Sequence, residues 1–396
     1  MKQEILIPTY YNEFKCIGSA CEDTCCAGWK VTVDKESFNK YRKITSGPLA
    51  EDLKKNISRE RKTPSDQAYG KIKMDNEGRC TLLADDGLCK IHAELGEEYL
   101  CHTCTTYPRY VHAVDERLEK SMTLSCPEAA RLILLNPDGI DFVIDEEEVK
   151  KVTHNQTADH FWDIRMFTIE LLQTRTATIE ERLIVLGMFI EKLDSTKQSF
   201  WQQELPTLIT RYRTLINDQE QLALLQSLPN NISFQMDLVR RLIQTRLVSG
   251  LKSQRYVDCL NDLIDGLQMI EGSTIEQSMN LYNQSYNNHY RPFMQDNAYI
   301  LENYLVNFIF KNTFPNDSKN LFQQYTNLVI HFILIKLHII GIASKQSGLT
   351  DDLLLKCIQS FSKTFEHNSQ FFKDTLNELE KQNYITMAHM TILIKS

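Results

Sequence analysis

The distribution of cysteines constrains this chain more than any other feature of its sequence. Nine of its eleven cysteines fall within the first 126 residues, and the rest of the 396-residue chain contains only Cys259 and Cys357. Cysteines that serve core packing are usually scattered, so a density that stops this abruptly indicates soft-ligand chemistry, either a metal centre or a disulfide framework. The clustered residues are a first cysteine group of Cys16, Cys21, Cys25 and Cys26, a second cysteine group of Cys80, Cys89, Cys101 and Cys104, and Cys126.

The segments outside these groups favour a metal over disulfides. The chain opens with MKQEILIPTYYNEF, which lacks the basic segment, apolar run and cleavage site of a secretory signal. No run of ~18 or more uncharged apolar residues occurs, because the longest candidate, 328–343, contains His331, Lys336 and His338. We therefore expect a cytoplasmic protein with no membrane partner, in which thiols stay reduced and bind metal or act in catalysis. A disulfide-stapled secreted domain is the alternative.

Composition narrows the class of partner. The chain is 42% hydrophobic and 24% charged, as in ordinary globular proteins, and its length provides for two or three cores. The net charge is -8 and no basic stripe occurs, which argues against nucleic acid as the main partner. A mildly acidic surface suits a lysine-bearing protein substrate, although many soluble enzymes share this balance.

The pattern of residues changes near position 150. Residues 1–135 are rich in cysteine and broken by glycine and proline, which predicts an irregular domain that binds iron–sulfur or zinc. Within this part, Asp34 is a suitable N-cap for a short helix, and Pro127 suits the first turn of another. Alternating apolar and polar residues at 29–34 predict a strand, and the residues at 136–139 predict a turn.

Residues 150–396 predict an all-α domain. Glycine and proline are rare there, and apolar residues recur at helical spacing. The expected helices cover about 164–172, a segment after Thr178, 234–251, 257–270, 298–310, 321–342, 353–365 and a last helix from about 369 to the end. The predicted fold class is therefore mainly α, with a helical bundle or array after the cysteine-rich domain.

Thiol spacing alone leaves the metal open. Four thiolates can hold a tetrahedral zinc ion or one [4Fe–4S] cluster. Cys101-x2-Cys104 matches a zinc-type hook, but the other spacings are unlike ordinary zinc ribbons, which moderately favours iron–sulfur over zinc. His92 and His102 lie among the cysteines and could complete a site, although surface positions are at least as reasonable.

Several common motifs are absent. The sequence has no G-x-G-x-x-G and no P-loop, so a nucleotide site of the usual doubly wound kind is not supported. It also lacks the Cys-x3-Cys-x2-Cys spacing of radical S-adenosylmethionine enzymes, because Gly28 stands where the third cysteine would be. Serine-hydrolase and zinc-protease motifs are missing as well.

The first cysteine group lies in the segment FKCIGSACEDTCCAGW (14–29), which resembles the opening motif of the bacterial flagellin lysine-N-methylase family. The second group is similar to that family and to small zinc- or iron-chelating proteins with clustered cysteines. The matching residues there are Gly78-Arg79-Cys80, Leu82-Leu83, Cys89, Ile91-His92, Cys101, Cys104 and Tyr107-Pro108-Arg109. The helical part adds weaker matches at Arg182-Leu183, 302–307 and Phe314-Pro315, so the resemblance covers nearly the whole chain.

The resemblance implies an enzyme that transfers methyl groups from S-adenosylmethionine to lysines of flagellin, or of another lysine-bearing protein, and that uses a cysteine-bound [4Fe–4S] cluster. It assigns Cys16, Cys21, Cys25, Cys26, Cys80, Cys89, Cys101 and Cys104 to the metal motif. Eight thiols exceed one tetrahedral site, so either two centres exist or some cysteines are structural. Cys126 is a weaker candidate, and Cys259 and Cys357 are expected to be buried packing residues.

Three residues beside the cysteines are candidates for cofactor binding. Trp29 and Tyr107 could wall a methyl-lysine or adenine site, and Arg109 could pair with the methionine carboxylate. Each taken alone is better explained as a core aromatic residue or as part of a structural salt bridge. The alternative function is a zinc-binding structural or interaction module without methyltransferase activity.

Overall fold

The computed structural model describes residues 2–148, 157, 160–248, 250–270, 272–317 and 319–396. Position 150, the predicted start of the helical domain, lies outside these ranges. The strands are β1 (Lys2–Pro8), β2 (Thr32–Val33), β3 (Ile57–Arg59), β4 (Gly70–Ile72), β5 (Arg109–Val114), β6 (Arg117–Met122) and β7 (Phe142–Glu148). The helices of the first part are α1 (Lys35–Lys43), α2 (Pro48–Asn56), α3 (Lys90–Leu95), α4 (His102–Thr106) and α5 (Pro127–Leu134).

The predicted fold class, mainly α, is confirmed. From residue 161 onward the described residues form helices and connecting turns and contain no strand. These helices are α6 (Phe161–Leu172), α7 (Ile179–Asp194), α8 (Trp201–Leu215), α9 (Gln219–Ser227), α10 (Ile232–Val248), α11 (Gln254–Gly266), α12 (Ile275–Ser285), α13 (Arg291–Asn297), α14 (Tyr299–Lys311), α15 (Leu321–Gln346), α16 (Asp351–Phe361), α17 (Ser369–Lys381) and α18 (Met387–Ile394). A short π-helical segment, Ser362–Glu366, extends α16.

The first part contains more regular structure than we predicted. A four-stranded sheet has the order β5-β6-β1-β7, and a three-stranded sheet has the order β2-β4-β3. β1 pairs antiparallel with β7 from Lys2 opposite Glu148 to Pro8 opposite Phe142, so strands at the two ends of this part meet. Local patterning does not show such a pairing, because its partners are far apart in sequence and β7 is mostly acidic.

Several helix starts follow from local capping chemistry. The Asp34 carboxylate accepts a hydrogen bond from the Ser37 amide and begins α1, as predicted. Thr178 and Glu181 form a capping box at the start of α7, which satisfies two amide donors at once. The single helix predicted after residue 369 is wrong in one respect, because a break at 382–386 separates α17 from α18.

Helix α15 forms the centre of the helical part. Its length and composition would suffice to cross a membrane, but 94% of its most apolar window is buried inside the protein. It crosses α11 at a close contact between two glycines: a Cβ at Gly266 would lie 2.1 Å from the carbonyl oxygen of Gly341. Helix α15 is therefore packed as the core helix of a soluble protein is packed.

Two main hydrophobic cores organise the chain. One is formed by buried side chains from residues between 31 and 101, and it includes Cys80 and Cys101 of the second cysteine group. The larger core extends through the helices after 161 and also includes Tyr10, Phe14 and the buried face of α5. Tyr10 and Phe14, which precede the two cysteine groups, and α5, which follows them, are thus packed with the helical part. The domain boundaries at 135 and 150 stay predictions.

Candidate functional site

The backbone brings the two cysteine groups side by side. The amide of Cys80 donates to the carbonyl oxygen of Cys26 at 2.7 Å, and the amide of Gly28 donates to Gly78 at 3.0 Å. An isolated bridge pairs Ala27 with Arg79 in the same register. Segments more than fifty residues apart therefore meet at the thiols, which is the convergence that a shared site requires.

Short helices position the thiols of the second group. Cys89 occupies the N-cap of α3 and Cys101 the N-cap of α4. The Cys89 thiol interacts with the amides of Ile91 and His92, which lower its pKa, although burial outweighs them and raises it overall. Free amides at a helix start favour a negatively charged group, so these positions suit thiolates that bind a cation.

Two thiol pairs have the spacing of adjacent metal ligands. The Sγ atoms of Cys25 and Cys26 are 3.9 Å apart, and those of Cys101 and Cys104 are 3.6 Å apart. Two thiolates bound to one tetrahedral zinc ion would be about 3.8 Å apart, given Zn–S bonds of about 2.3 Å. Among the described residues, no group of three or more histidine, cysteine, aspartate or glutamate side chains is arranged to hold a metal ion. The donors fit a thiophilic metal, and they are organised as pairs.

Within each pair, the hydrogen bond between the two thiols moves their pKa values in opposite directions. The hydrogen bond from Cys26 lowers the pKa of Cys25 to about 7 against the effect of burial, and the Lys363 ammonium adds to the lowering. The same hydrogen bond raises the pKa of Cys26. In the second pair, the contact with Cys104 lowers the pKa of Cys101 and raises that of Cys104. Cys25 and Cys101 therefore lose their protons more readily than their partners Cys26 and Cys104.

The remaining cysteines differ in their surroundings. Burial, with smaller contributions from the neighbouring thiols Cys89, Cys101 and Cys25, raises the pKa of Cys80 to about 11. Cys16 is exposed and Cys21 is half-buried. Cys126 is the N-cap of α5, and burial raises its pKa to about 12.

The two histidines named from the sequence face outward. His92 and His102 are both exposed. The His102 backbone amide donates to the Asp34 carboxylate at 2.9 Å and so helps to fix α4 against the start of α1.

A polar network fastens the first cysteine group to the end of the helical part. The Lys363 ammonium lies 2.8 and 2.9 Å from the two Asp23 carboxylate oxygens and donates to the Thr24 carbonyl at 2.8 Å. Gln359 donates to Asp23 at 3.0 Å and to the Ser125 carbonyl at 2.8 Å. Charge-assisted bonds of this kind are short and directional, so they hold Cys25 against the segment that follows α16.

Aromatic rings adjoin this network. The Trp29 indole donates to the Cys25 carbonyl at 2.7 Å. Its ring stacks on Tyr107 with centroids 5.6 Å apart and on His367 with centroids 6.0 Å apart. The Tyr107 hydroxyl and His367 Nε2 both contact the Ser125 hydroxyl, at 3.0 and 2.9 Å. Trp29 and Tyr107 thus lie together beside the thiols.

Arg109 packs against aromatic rings outside the cavity wall. Its guanidinium lies over the rings of Phe14, 4.8 Å from the centroid, and Tyr11, 5.8 Å from the centroid. It is not among the residues that line the cavity beside Trp29. Its predicted pairing with a carboxylate therefore stays a prediction.

A cavity of about 340 Å³ opens beside the first cysteine group. Its walls come from four parts of the chain, namely the loop after Cys26, the segment after β4, the end of α10 with the segment that follows it, and the segment after α16. They are formed by Gly28, Trp29, Lys30, Met74, Arg246, Gly250, Lys252, Lys363, Thr364, His367 and Asn368. A larger cavity of about 550 Å³ lies between α10 and α17, but it contains no thiol and no aromatic residue.

Sequence reasoning missed the residues that complete this site. Asp23 lies inside the first cysteine motif, but nothing local marks its carboxylate as the partner of a lysine 340 positions away. Gln359, Lys363 and His367 belong to a helical stretch whose apolar periodicity indicates only packing. Only the tertiary fold brings them to the thiols.

Comparisons with known proteins identify the family of the chain. Residues 165–393 match the FliB lysine N-methylase C-terminal domain. Proteins named lysine-N-methylase from Salmonella typhimurium and Salmonella choleraesuis are each 27% identical to the chain over 395 residues, covering 94% of both sequences. Flagellar biosynthetic protein FliU from Salmonella muenchen is 38% identical over 141 residues, 34% of this chain and 78% of that protein.

No solved structure matches the chain. The family model nevertheless spans more than half of its 396 residues, and two relatives align along nearly their whole length. The chain belongs to the FliB lysine N-methylase family.

Proposed function

We propose that this protein lysine methyltransferase transfers methyl groups from S-adenosylmethionine to lysines of flagellin and holds an iron–sulfur cluster with its cysteines. Family membership supports the transfer of methyl groups to lysine. Flagellin as the acceptor is supported by the name of the relative FliU, a flagellar biosynthetic protein. The sequence resemblance supports the methyl donor and the cluster.

One observation carries the proposal: thiols from both cysteine groups converge beside a cavity of small-molecule size. Its volume of about 340 Å³ lies within the range of about 300–1,000 Å³ that is typical of ligand sites, and its walls are mainly polar. The cavity contains Trp29, whose indole is bonded to the backbone of Cys25. A redox or Lewis-acid centre and a bound small molecule could thus lie next to each other.

The thiols that would hold the cluster are the two pairs, Cys25–Cys26 and Cys101–Cys104, together with Cys80 and Cys89. These six thiols interact electrostatically with one another. When bound, an iron–sulfur cluster supplies a redox-active centre whose potential depends on burial and hydrogen bonds to sulfur. Cys16 and Cys21 remain candidates for a second site or for structural roles.

The residues around the cavity would favour the neutral, reactive form of the acceptor lysine. In the transfer, the lysine nitrogen forms a bond to the donor's methyl carbon, the carbon–sulfur bond of the donor breaks, S-adenosylhomocysteine leaves and the amine loses one proton. Only a neutral amine can attack, whereas free lysine has a pKa of about 10.4. Four basic side chains border the cavity, and nearby cations together with burial favour the neutral form of an entering lysine.

The experiment that tests this function joins metal analysis to product analysis. The protein is purified anaerobically, and its iron, sulfide and zinc are measured. It is then co-expressed with flagellin, and the flagellin lysines are mapped by mass spectrometry. We expect stoichiometric iron and sulfide, broad absorption near ~400 nm, and mass increments of methyl groups on lysine. A colourless protein with tightly bound zinc and unmodified flagellin would support the interaction-module alternative.

A further inference from the structure

The cavity of about 550 Å³ between α10 and α17 is a groove with an apolar floor, which we call the α10–α17 groove. Leu238, Leu242 and Leu379 line it and are at most 7% exposed. Val248, the last residue of α10, also lines the groove, although its side chain is 91% exposed. Apolar surface that is open to solvent and rimmed by polar residues is a feature of sites that bind another protein.

The rim of the groove on the α17 side is acidic. Asp374 and Glu378 line it and lie four positions apart, so they share one face of α17. The Asp374 carboxylate accepts a hydrogen bond from the Gln370 amide at 2.8 Å, and the Glu378 carboxylate accepts one from the Gln382 amide at 2.6 Å. Among the described residues, neither carboxylate forms an ion pair. Uncharged amides orient these side chains but do not cancel their charge.

The rim on the α10 side contributes one positive charge, which has a carboxylate partner. The Arg241 guanidinium lies 3.1 Å from Asp237, a residue outside the groove wall that also contacts Arg240 at 2.9 Å. The other polar residues described on this rim, Gln244 and Thr245, are uncharged. The groove therefore combines apolar surface with two carboxylates that no cation neutralises, which complements a partner that is both amphipathic and basic.

The same two helices lead from the groove to the cavity beside the first cysteine group. The last turn of α10 borders that cavity, and so do His367 and Asn368, which precede α17. Asn368 is the N-cap of α17 and lies six positions before Asp374, which is about 9 Å along a helix. A protein segment that occupies the groove would therefore bring its neighbouring residues close to the thiols.

We propose that the α10–α17 groove docks an amphipathic helix of the protein substrate. Its apolar face would pack on the leucines of the floor, and its lysine or arginine side chains would pair with Asp374 and Glu378. The proposal rests on the proposed function, since it names how the substrate of that reaction is held. Grooves lined by helices receive partner helices through apolar side chains three or four positions apart. Basic side chains at the same spacing would match the two carboxylates, which are themselves four positions apart.

The test separates docking from chemistry by comparing a long substrate with a short one. Purified flagellin contains every segment of the substrate, whereas a short peptide centred on one methylated lysine contains only the residues beside that lysine. The metal-loaded, full-length protein is used, and kcat and KM are measured for both substrates. We expect the double variant Asp374→Asn/Glu378→Gln to raise the KM for flagellin about fivefold or more with kcat unchanged, as loss of uniform binding does. Its kinetics with the peptide should equal those of the wild type.

A second variant tests the apolar part of the groove. Val248→Gln changes a side chain that is almost fully exposed, so the fold should be unaffected, and it should raise the KM for flagellin about threefold. Binding of flagellin is also measured by isothermal titration calorimetry, and the Kd should change in parallel with the KM.

The control is the double variant Glu380→Gln/Glu220→Gln. It also removes two negative charges, one of them from α17, at exposed positions outside the groove wall. Its KM and Kd for flagellin should equal those of the wild type. Circular dichroism verifies that each variant keeps its helical content.

The outcomes distinguish the docking site from the proposed function. If flagellin is methylated and the groove variants keep the wild-type KM, or the control raises it equally, the docking site is wrong while the proposed function stands. If the KM for the peptide rises as much as that for flagellin, the groove residues act at the reacting lysine and the docking assignment is overturned. If the wild type sediments as a dimer that the groove variants dissociate, the groove instead holds a second copy of this chain.

The binding measurement decides the case in which no methyl group is transferred. If the wild type binds flagellin without methylating it and the groove variants bind more weakly than the control, the docking site stands and the proposed function fails. If the wild type neither binds nor methylates flagellin, both inferences fail.

Discussion

At the scale of single residues, the surroundings of each cysteine decide the pKa and the accessibility of its thiol. The hydrogen bond between Cys25 and Cys26 lowers the pKa of Cys25 to about 7 and raises that of Cys26. Cys259 and Cys357 lie in the helical core, where they are 3% and 1% exposed. The thiol group is thus a candidate metal ligand in one part of the chain and a packing group in another.

The first prediction concerns this contrast. Cys89→Ser should abolish or strongly reduce metal loading, because a neutral hydroxyl is a poor substitute for a soft thiolate. Iron, sulfide and zinc are measured on protein purified anaerobically. Cys357→Ser is the matched control, since it also removes one thiol, and its metal content should equal that of the wild type. A folded Cys89→Ser protein with full metal content would exclude Cys89 as a ligand.

A second prediction concerns a buried histidine. His338 Nδ1 contacts the Leu334 carbonyl at 2.7 Å and Nε2 contacts the Tyr256 hydroxyl at 3.0 Å, which suits the neutral ring. Burial lowers its pKa to about 4, whereas an unfolded histidine titrates near ~6.5. Below pH ~6.5 the unfolded chain therefore binds a proton that the folded chain does not bind. The associated stability is complete above that pH and is lost as the pH falls toward 4.

His338→Gln should flatten this dependence. The free energy of unfolding, measured by urea denaturation and circular dichroism, should fall between pH 6.5 and 4.5 less steeply than in the wild type. The slope should differ by up to about 1.4 kcal/mol per pH unit. Equal slopes for wild type and His338→Gln would contradict the assignment.

At the scale of elements, the packing of the helical part depends on close contacts between helix backbones as much as on apolar faces. At the crossing of α11 and α15, a Cβ on Gly341 would lie 2.7 Å from the Leu263 Cα, and one on Gly266 would meet the Gly341 carbonyl. Only residues without a side chain allow the helices to pack at this distance. Helical periodicity in the sequence does not reveal which turns must touch.

The third prediction follows from this contact. Gly266→Ala gains about 1 kcal/mol of helix propensity. The clash is with backbone, which cannot rotate away, so the net effect should be a loss of about 1–3 kcal/mol in the free energy of unfolding. Gln323→Ala in α15 should change it by less than about 0.5 kcal/mol. Chemical denaturation measures both, and a stabilised Gly266→Ala protein would show that the helices separate easily.

At the scale of the whole molecule, the thiol-bearing loops are joined to the helices by a few polar contacts. The Asp23–Lys363 ion pair is the main one, with side chains only 14% and 6% exposed. Removing one partner of a buried pair leaves an uncompensated charge, which costs about 3–5 kcal/mol. This pair therefore couples the position of Cys25 to the segment after α16.

The fourth prediction measures that coupling. A double-mutant cycle with Asp23→Asn and Lys363→Met should give a coupling energy of about 1–3 kcal/mol. The same cycle on the exposed pair Lys345–Asp265, whose side chains are 44% and 52% exposed, should give less than about 1 kcal/mol. Equal coupling energies for the two pairs would mean that the buried pair does not join the two parts.

The sequence alone determined the mainly α fold class and many of the helices, and it marked the clustered cysteines as candidate ligands. Helices α8, α9, α12 and α13 lie outside the segments that it predicted. Cysteine clustering identified the thiols, apolar spacing predicted the mainly α fold, and local capping predicted helix starts such as that after Asp34. These features depend on neighbours within a few positions, so local reasoning reaches them.

The tertiary structure decided what lies together. The pairing of β1 with β7, the contact of Gly266 with Gly341 and the approach of Lys363 to Asp23 each join segments that are distant along the chain. It also separated Arg109 from the cavity and placed Arg246, Lys252 and Thr364 in its wall. The physical reason is that such contacts arise from the packing of complete elements, which no local pattern of residue types specifies.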